Sequence, residues 1–185
     1  QGLRRLTRYR YRLSKALSQE KMRFQSYAYL KYSDWKRVKA FSDVFGATSV
    51  ALLTEFTVAE VQEMSHDQLV DLITRRGRGR FGAPTVTART VRQALHTSYP
   101  LDPQMDEMVT AALAAGWDHI RYLKRSMKRL DRLIARYIDL VPNPIITIKG
   151  LGAVITAGIM AEIVDVLRFP EEKNLILAAE DQVAI

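Results

Sequence analysis

Residues 105–152 read MDEMVTAALAAGWDHIRYLKRSMKRLDRLIARYIDLVPNPIITIKGLG, and the spacing of their apolar side chains decides the fold. Leu113, Ile120, Met127, Ile134 and Val141 recur every seven residues, and Leu123, Leu130 and Tyr137 fill the position three further on. Such a stripe runs down one side of an α-helix and requires a second helix to cover it, in a coiled coil or a long helical hairpin. The outer faces carry Arg121, Lys124, Arg125, Lys128, Arg129, Asp131, Arg132 and Arg136, which read either as a solvated basic surface or as a nucleic-acid contact. Pro142 and Pro144 end the helix, because proline lacks the amide donor and clashes with the preceding turn. Lys149-Gly150-Leu151-Gly152-Ala153 then opens an apolar helix over 154–166. Two glycines one residue apart permit a sharp turn and close backbone approach, and the unpaired amides of the following helix can hold a phosphate oxygen. A tight structural turn is the competing reading of the same glycines.

Outward from that stretch, residues 3–31 form the expected partner helix. Leu3, Leu17 and Phe24 share its seven-residue spacing, with Leu6, Leu13 and Tyr27 in the alternate positions. Arg10 and Glu20 interrupt this stripe, which sets register at a cost in stability. Tyr9, Tyr11, Phe24, Tyr27, Tyr29 and Tyr32 are interleaved with Arg and Lys, a pattern open both to base stacking and to core packing. Between the long helices, short ones are expected over 34–44 (capped by Ser33 and ended by Gly46), 47–56, 58–64, 66–76 and 87–97. Thr57 to Glu60 and Ser65 to Gln68 are capping-box patterns, and Gly77 stands where a C-terminal cap belongs. The expected architecture is all-α: a long antiparallel helical hairpin or coiled coil (1–32 and 104–141), an inserted small-helix region (33–103) and a C-terminal helix-hairpin-helix-like unit (142–185).

Charge points to a polyanionic partner. Of 28 Lys and Arg, residues 1–40 hold 12, against 2 of the 20 Asp and Glu, so the net +8 is concentrated at the start of the chain. That is the electrostatic footprint of a nucleic-acid binder, with an anionic membrane surface as the lesser alternative. No run is apolar enough to span a bilayer, and there are no cysteines for disulfides or thiolate metal sites. The first residue is Gln1, which reads as a processed chain or a fragment. Arg76, Arg78 and Arg80 lie in a Gly77-x-Gly79-x-x-Gly82 run that matches a dinucleotide fingerprint only literally. A helix precedes it where a strand is needed, so an Arg-Gly phosphate contact or a solvated loop is the better reading. His66, His96 and His119 are scattered, Glu162 and Asp165 could share a face and bind magnesium but read more simply as a surface pair, and no nucleophile-base set is present. The residues alone show binding chemistry and neither a catalytic nor a metal site.

Residues 148–170, from Ile148-Lys-Gly150-Leu-Gly152 through Ala161-Glu162-Ile to Arg168-Phe169-Pro170, resemble the C-terminal domain of the IS-one-ten/IS-one-sixteen family of bacterial insertion-sequence transposases. The family pattern runs PGIGPxTAxxLLAEIGDxxRF. The arginine-rich start, Leu3 to Leu13, is similar to the helix that follows the nuclease domain in that family, and Arg78-Gly-Arg-Phe-Gly82 is similar at the matching place. The resemblance implies a bacterial, cytoplasmic, nucleoid-associated recombinase that assembles as dimers or tetramers on DNA with a guide RNA. It implies a RuvC-like domain whose four acidic residues hold magnesium, and a nucleophilic serine in the C-terminal domain. This chain lacks the acidic set, and after Asn174 it departs from the family's run towards the serine; neither Ser65 nor Ser126 is expected to replace it. No cofactor is therefore expected here. On this reading Lys149, Gly150, Gly152 and Arg168 contact DNA, while Arg4, Arg5, Arg8, Arg12, Arg76, Arg78 and Arg80 hold the backbone of DNA or RNA. The alternative is a non-enzymatic helical dimerisation or interaction protein.

Overall fold

The structure, a computed structural model, describes residues 1–40, 43–80, 82–140 and 148–163. Among these described residues there are eight α-helices and no strand. Two are long, α1 (Gly2–Lys31) and α7 (Pro103–Ile138), and they pack together extensively. Between them lie α2 (Trp35–Val38), α3 (Ala47–Thr54), α4 (Val58–Glu63), α5 (His66–Gly77) and α6 (Pro84–Thr97), and α8 (Ala153–Ile163) follows α7. The chain divides into two compact units, Gln1–Ser18 with Arg121–Ile185, and Gln19–Ile120, so each long helix contributes one part to each unit.

In the first unit the start of α1, the end of α7 and α8 share a core. Ile134, Ile138 and Ala157 are fully buried, and Leu3, Leu6, Ala153, Val154 and Met160 pack around them. Each isoleucine removed from water contributes about 2 kcal/mol. Arg10 donates to Asp131 at 2.9 Å, so the interruption in the α1 stripe has its partner on α7.

In the second unit Glu20 approaches His119 at 3.4 Å and Phe24 packs against Trp117 with ring centroids 6.0 Å apart. Gly116 makes room there: a Cβ on it would come within 3.2 Å of the Glu20 carboxylate. The rest of this core is Tyr32, Leu52, Leu53, Val61, Leu69, Ile73, Val91 and Leu113, with α5 packed on α3 and α6. Both capping boxes are formed, Thr57 with Glu60 and Ser65 with Gln68.

Lys31 is buried at the end of α1. Its ammonium donates to Leu53 O (3.0 Å), Phe56 O and Thr110 Oγ1 (2.7 Å), with Asp106 at 3.9 Å. Asp106 in turn accepts from the Val58 amide at 2.6 Å. These contacts tie the α3–α4 turn to the two long helices. Burial pushes the Lys31 ammonium down to about 8, partly offset by the Asp106 charge.

Several local expectations are corrected. The helix expected over 34–44 is only Trp35–Val38, because Lys39 takes a left-handed conformation (φ 50°). Ser33 does not cap it; its hydroxyl accepts from the Tyr99 amide instead. Gly46 opens α3 as its N-cap. Gly77 is the last residue of α5, and the left-handed cap is Arg78. Helix α6 begins at Pro84, whose missing amide donor costs nothing in a first turn. The seven-residue stripe holds through Ile134, but Tyr137 is exposed and Ile138 is buried; on α1, Tyr27 is exposed and Ala28 is buried. A straight helix turns every 3.6 residues, so its buried stripe drifts by about 20° per heptad and steps forward one residue. Val141 lies outside the described residues.

Candidate nucleic-acid interface

The hairpin before α8 is built from local backbone bonds. The Leu151 amide donates to Ile148 O at 3.2 Å, and Gly150 sits at φ 95°, a region that a side chain disfavours. The Thr156 amide donates to Gly152 O at 3.0 Å, so the amides of Ala153, Val154 and Ile155 precede the first turn's own acceptors. Lys149, Gly150 and Gly152 are exposed. A Cβ added to either glycine would meet nothing within 4 Å. Among the described residues, therefore, nothing packs against the Gly152 Cα, and its backbone is exposed. Beside the hairpin is a cleft of about 780 Å³, with Thr7, Arg10, Tyr11 and Asp131 facing Gly150 to Ile155. Asp131 would repel an anion there, but its charge is balanced by Arg10. Lys15 adds a cation over the Tyr11 ring, 4.7 Å from its centroid.

The sequence-predicted arginines have different surroundings. Arg4 donates to Ala161 O (2.8 Å) and Glu162 O (2.9 Å), neutralising carbonyls in the last described turn of α8. Arg8 forms a two-bond fork on the Glu162 carboxylate, at 2.8 and 2.9 Å, and that hydrogen-bonded charge holds its guanidinium above the usual value. These two arginines therefore fasten α1 to α8, and Glu162 is occupied. Arg5 and Arg12 are exposed on the same helix. Arg76 belongs to the second unit, where it pairs with Glu55; Arg78 and Arg80 are exposed around the left-handed turn at Arg78 and Gly79. Arg168 lies outside the described residues, as does Asp165.

What the reading of the sequence left undecided is the end of α7. Arg125, Lys128, Arg129, Arg132 and Arg136 are all exposed, and helical spacing places them on one arc. Arg121 and Lys124 fall on that arc too. Residues 1–18 and 121–185 together hold 16 Lys and Arg against 8 Asp and Glu, whereas residues 19–120 hold 12 of each. Charge counted along the chain placed the excess in residues 1–40; counted by unit, it lies on the first unit. The signal was present in the sequence, but it needed the antiparallel pairing to join the two segments.

The serines are structural: Ser65 caps α5, and the buried Ser126 accepts from Arg129 at 3.3 Å. No group of three His, Cys, Asp or Glu converges among the described residues. No described helix is long and apolar enough to cross a membrane. Comparison with known proteins returns no matching family model, no similar curated protein and no similar solved structure.

Proposed function

We propose that this chain is the nucleic-acid-binding and oligomerising portion of a DNA transposase or recombinase that moves an insertion sequence, with the bond-breaking groups supplied from outside it. The observation that carries the reading is the hairpin: exposed glycines with open space above them, at the start of a helix, in the unit that holds the chain's excess positive charge. Backbone amides at a helix start recognise a phosphate without reading sequence. The resemblance of residues 148–170 to the insertion-sequence transposases supports DNA as the partner, with a guide RNA as a second polyanion. Lys149, Gly150 and Gly152 approach the backbone, and Arg5 and Arg12 are better placed than Arg4 and Arg8 to add charge.

Gly152→Ala tests this reading. The backbone there admits alanine and no described side chain crowds it, so unfolding should move by about 1 kcal/mol, the loss expected when alanine replaces glycine at the N-cap of α8. Affinity for DNA should fall about tenfold or more, because the new methyl group keeps a phosphate from the amides. Unchanged affinity would sink the hairpin contact.

A second reading, a non-enzymatic helical dimerisation protein, is favoured by one feature. Leu133, Tyr137 and Leu140 are exposed and, with Gly2, Leu3 and Leu6, line an apolar cleft of about 610 Å³. Ultracentrifugation separates the two: a stable dimer indifferent to nucleic acid supports this second reading alone.

A further inference from the structure

The cationic arc of α7 is a surface of a different kind from the hairpin amides: side-chain charges on one helix instead of backbone donors at a turn. Between residues 125 and 136 it carries five exposed Lys and Arg. Eleven residues of helix are about 16 Å long, so the arc presents one positive charge per about 3 Å. Each strand of duplex DNA presents one negative charge per about 3.4 Å. The only acid in this stretch, Asp131, is turned towards Arg10 and pairs with it at 2.9 Å. Arg10 thereby offsets that charge within the arc, whose other neighbouring acids, Asp118 and Asp139, lie beyond its ends.

The arc also lacks what a single-strand site needs. Proteins that hold single strands interleave cations with aromatic platforms for the bases. Tyr122 is the one aromatic between 121 and 136, and helical spacing puts it in the row of Leu133 and Leu140, outside the cations. Charges in register on a rigid rod, without a stacking surface, suit a regular pair of phosphate rails.

We infer that the end of α7 is a binding surface for the phosphate backbone of a double helix, contacted through Arg125, Lys128, Arg129, Arg132 and Arg136. This inference rests on the nucleic-acid reading above and adds to it the form of the ligand and a second contact surface. DNA and RNA duplexes share the recognised chemistry. The arc faces them as a row of point charges and forks, so it holds a duplex without choosing its sequence.

The test uses the whole chain and three probes: a short DNA duplex, an RNA duplex of equal length and the matching single-stranded DNA. Binding is measured over a range of salt for the wild type, for Arg125→Gln/Arg129→Gln/Arg132→Gln/Arg136→Gln, and for the same four positions changed to Lys. All four side chains are exposed, and a circular dichroism spectrum checks that helicity is kept. The Gln variant should reduce the slope of log affinity against log salt by between about 3 and 4 and weaken duplex binding about a hundredfold or more. The Lys variant should keep most of the slope. The duplex whose slope falls identifies the ligand as DNA or RNA. An unchanged slope, or equal binding of the single strand, overturns the inference. Gly152→Ala removes no charge, so it should weaken binding while leaving the slope alone; that result beside an unresponsive arc would spare the hairpin reading and refute this one. Absence of binding to every probe would refute both.

Discussion

At the scale of the residue, Lys31 shows how a charge is kept in a core. Its three donors are matched by Leu53 O, Phe56 O and Thr110 Oγ1, with Asp106 alongside. Lys31→Met would leave two carbonyls and a carboxylate without this cation, and should cost about 3 kcal/mol or more in denaturant unfolding, as expected when one member of a buried pair is removed. The pH dependence has a definite sign. Its folded value, about 8, lies below the ordinary lysine value of 10.5, so between them the unfolded chain binds more protons. The burden of burying the charge is complete below about 8 and is relieved as pH rises towards 10.5. The stability gap between wild type and Lys31→Met should therefore widen, by roughly 2 kcal/mol, between about pH 7.5 and about pH 9.5. A gap that narrows over that window would show that the contacts require the charged form. Nothing in the sequence marked Lys31 as buried: in a helix rich in basic residues it reads as one more solvated lysine, and its acceptors come from elements far along the chain.

At the scale of the element, the helices were legible wherever the cause was local. Thr57 with Glu60 and Ser65 with Gln68 close their boxes within four residues, so pattern and structure coincide. Thr57→Ala and Ser65→Ala should each lower stability by about 1 kcal/mol in thermal or denaturant unfolding. The boundary at Lys39 was not legible, since a left-handed backbone at a lysine has no local signal in the sequence, and Ser33, which reads as a cap, instead accepts from the distant Tyr99 amide. The seven-residue stripe identified α1 and α7 correctly as a pair but placed its last members one residue early. This can be measured directly. Ile138→Ala should cost about 3 kcal/mol, and Tyr137→Ala less than about 1 kcal/mol. The reverse order would restore the strict heptad. The clamp of Arg4 and Arg8 on α8 escaped the sequence reading because free and paired arginines look the same in a list of residues.

At the scale of the whole molecule, the all-α class and the pairing of the long helices were legible from apolar periodicity. The surroundings of the candidate site were legible in part. Lys149, Gly150 and Gly152 stand exposed at a turn, whereas the cationic arc could not be weighed until α1 and α7 were paired. That pairing turns a basic N-terminal segment and a basic helix end into one strongly positive unit, whereas the charges of the second unit balance. A polyanion held by many phosphate contacts displaces as many counterions, so binding must weaken steeply with salt. The most direct measurement is the anisotropy of a labelled DNA duplex titrated with the whole chain at about 50 and about 200 mM salt. If six or more phosphates are contacted, the affinity should fall by a factor of about a thousand or more between the two. A duplex that does not bind, or binds equally at both concentrations, would contradict the account.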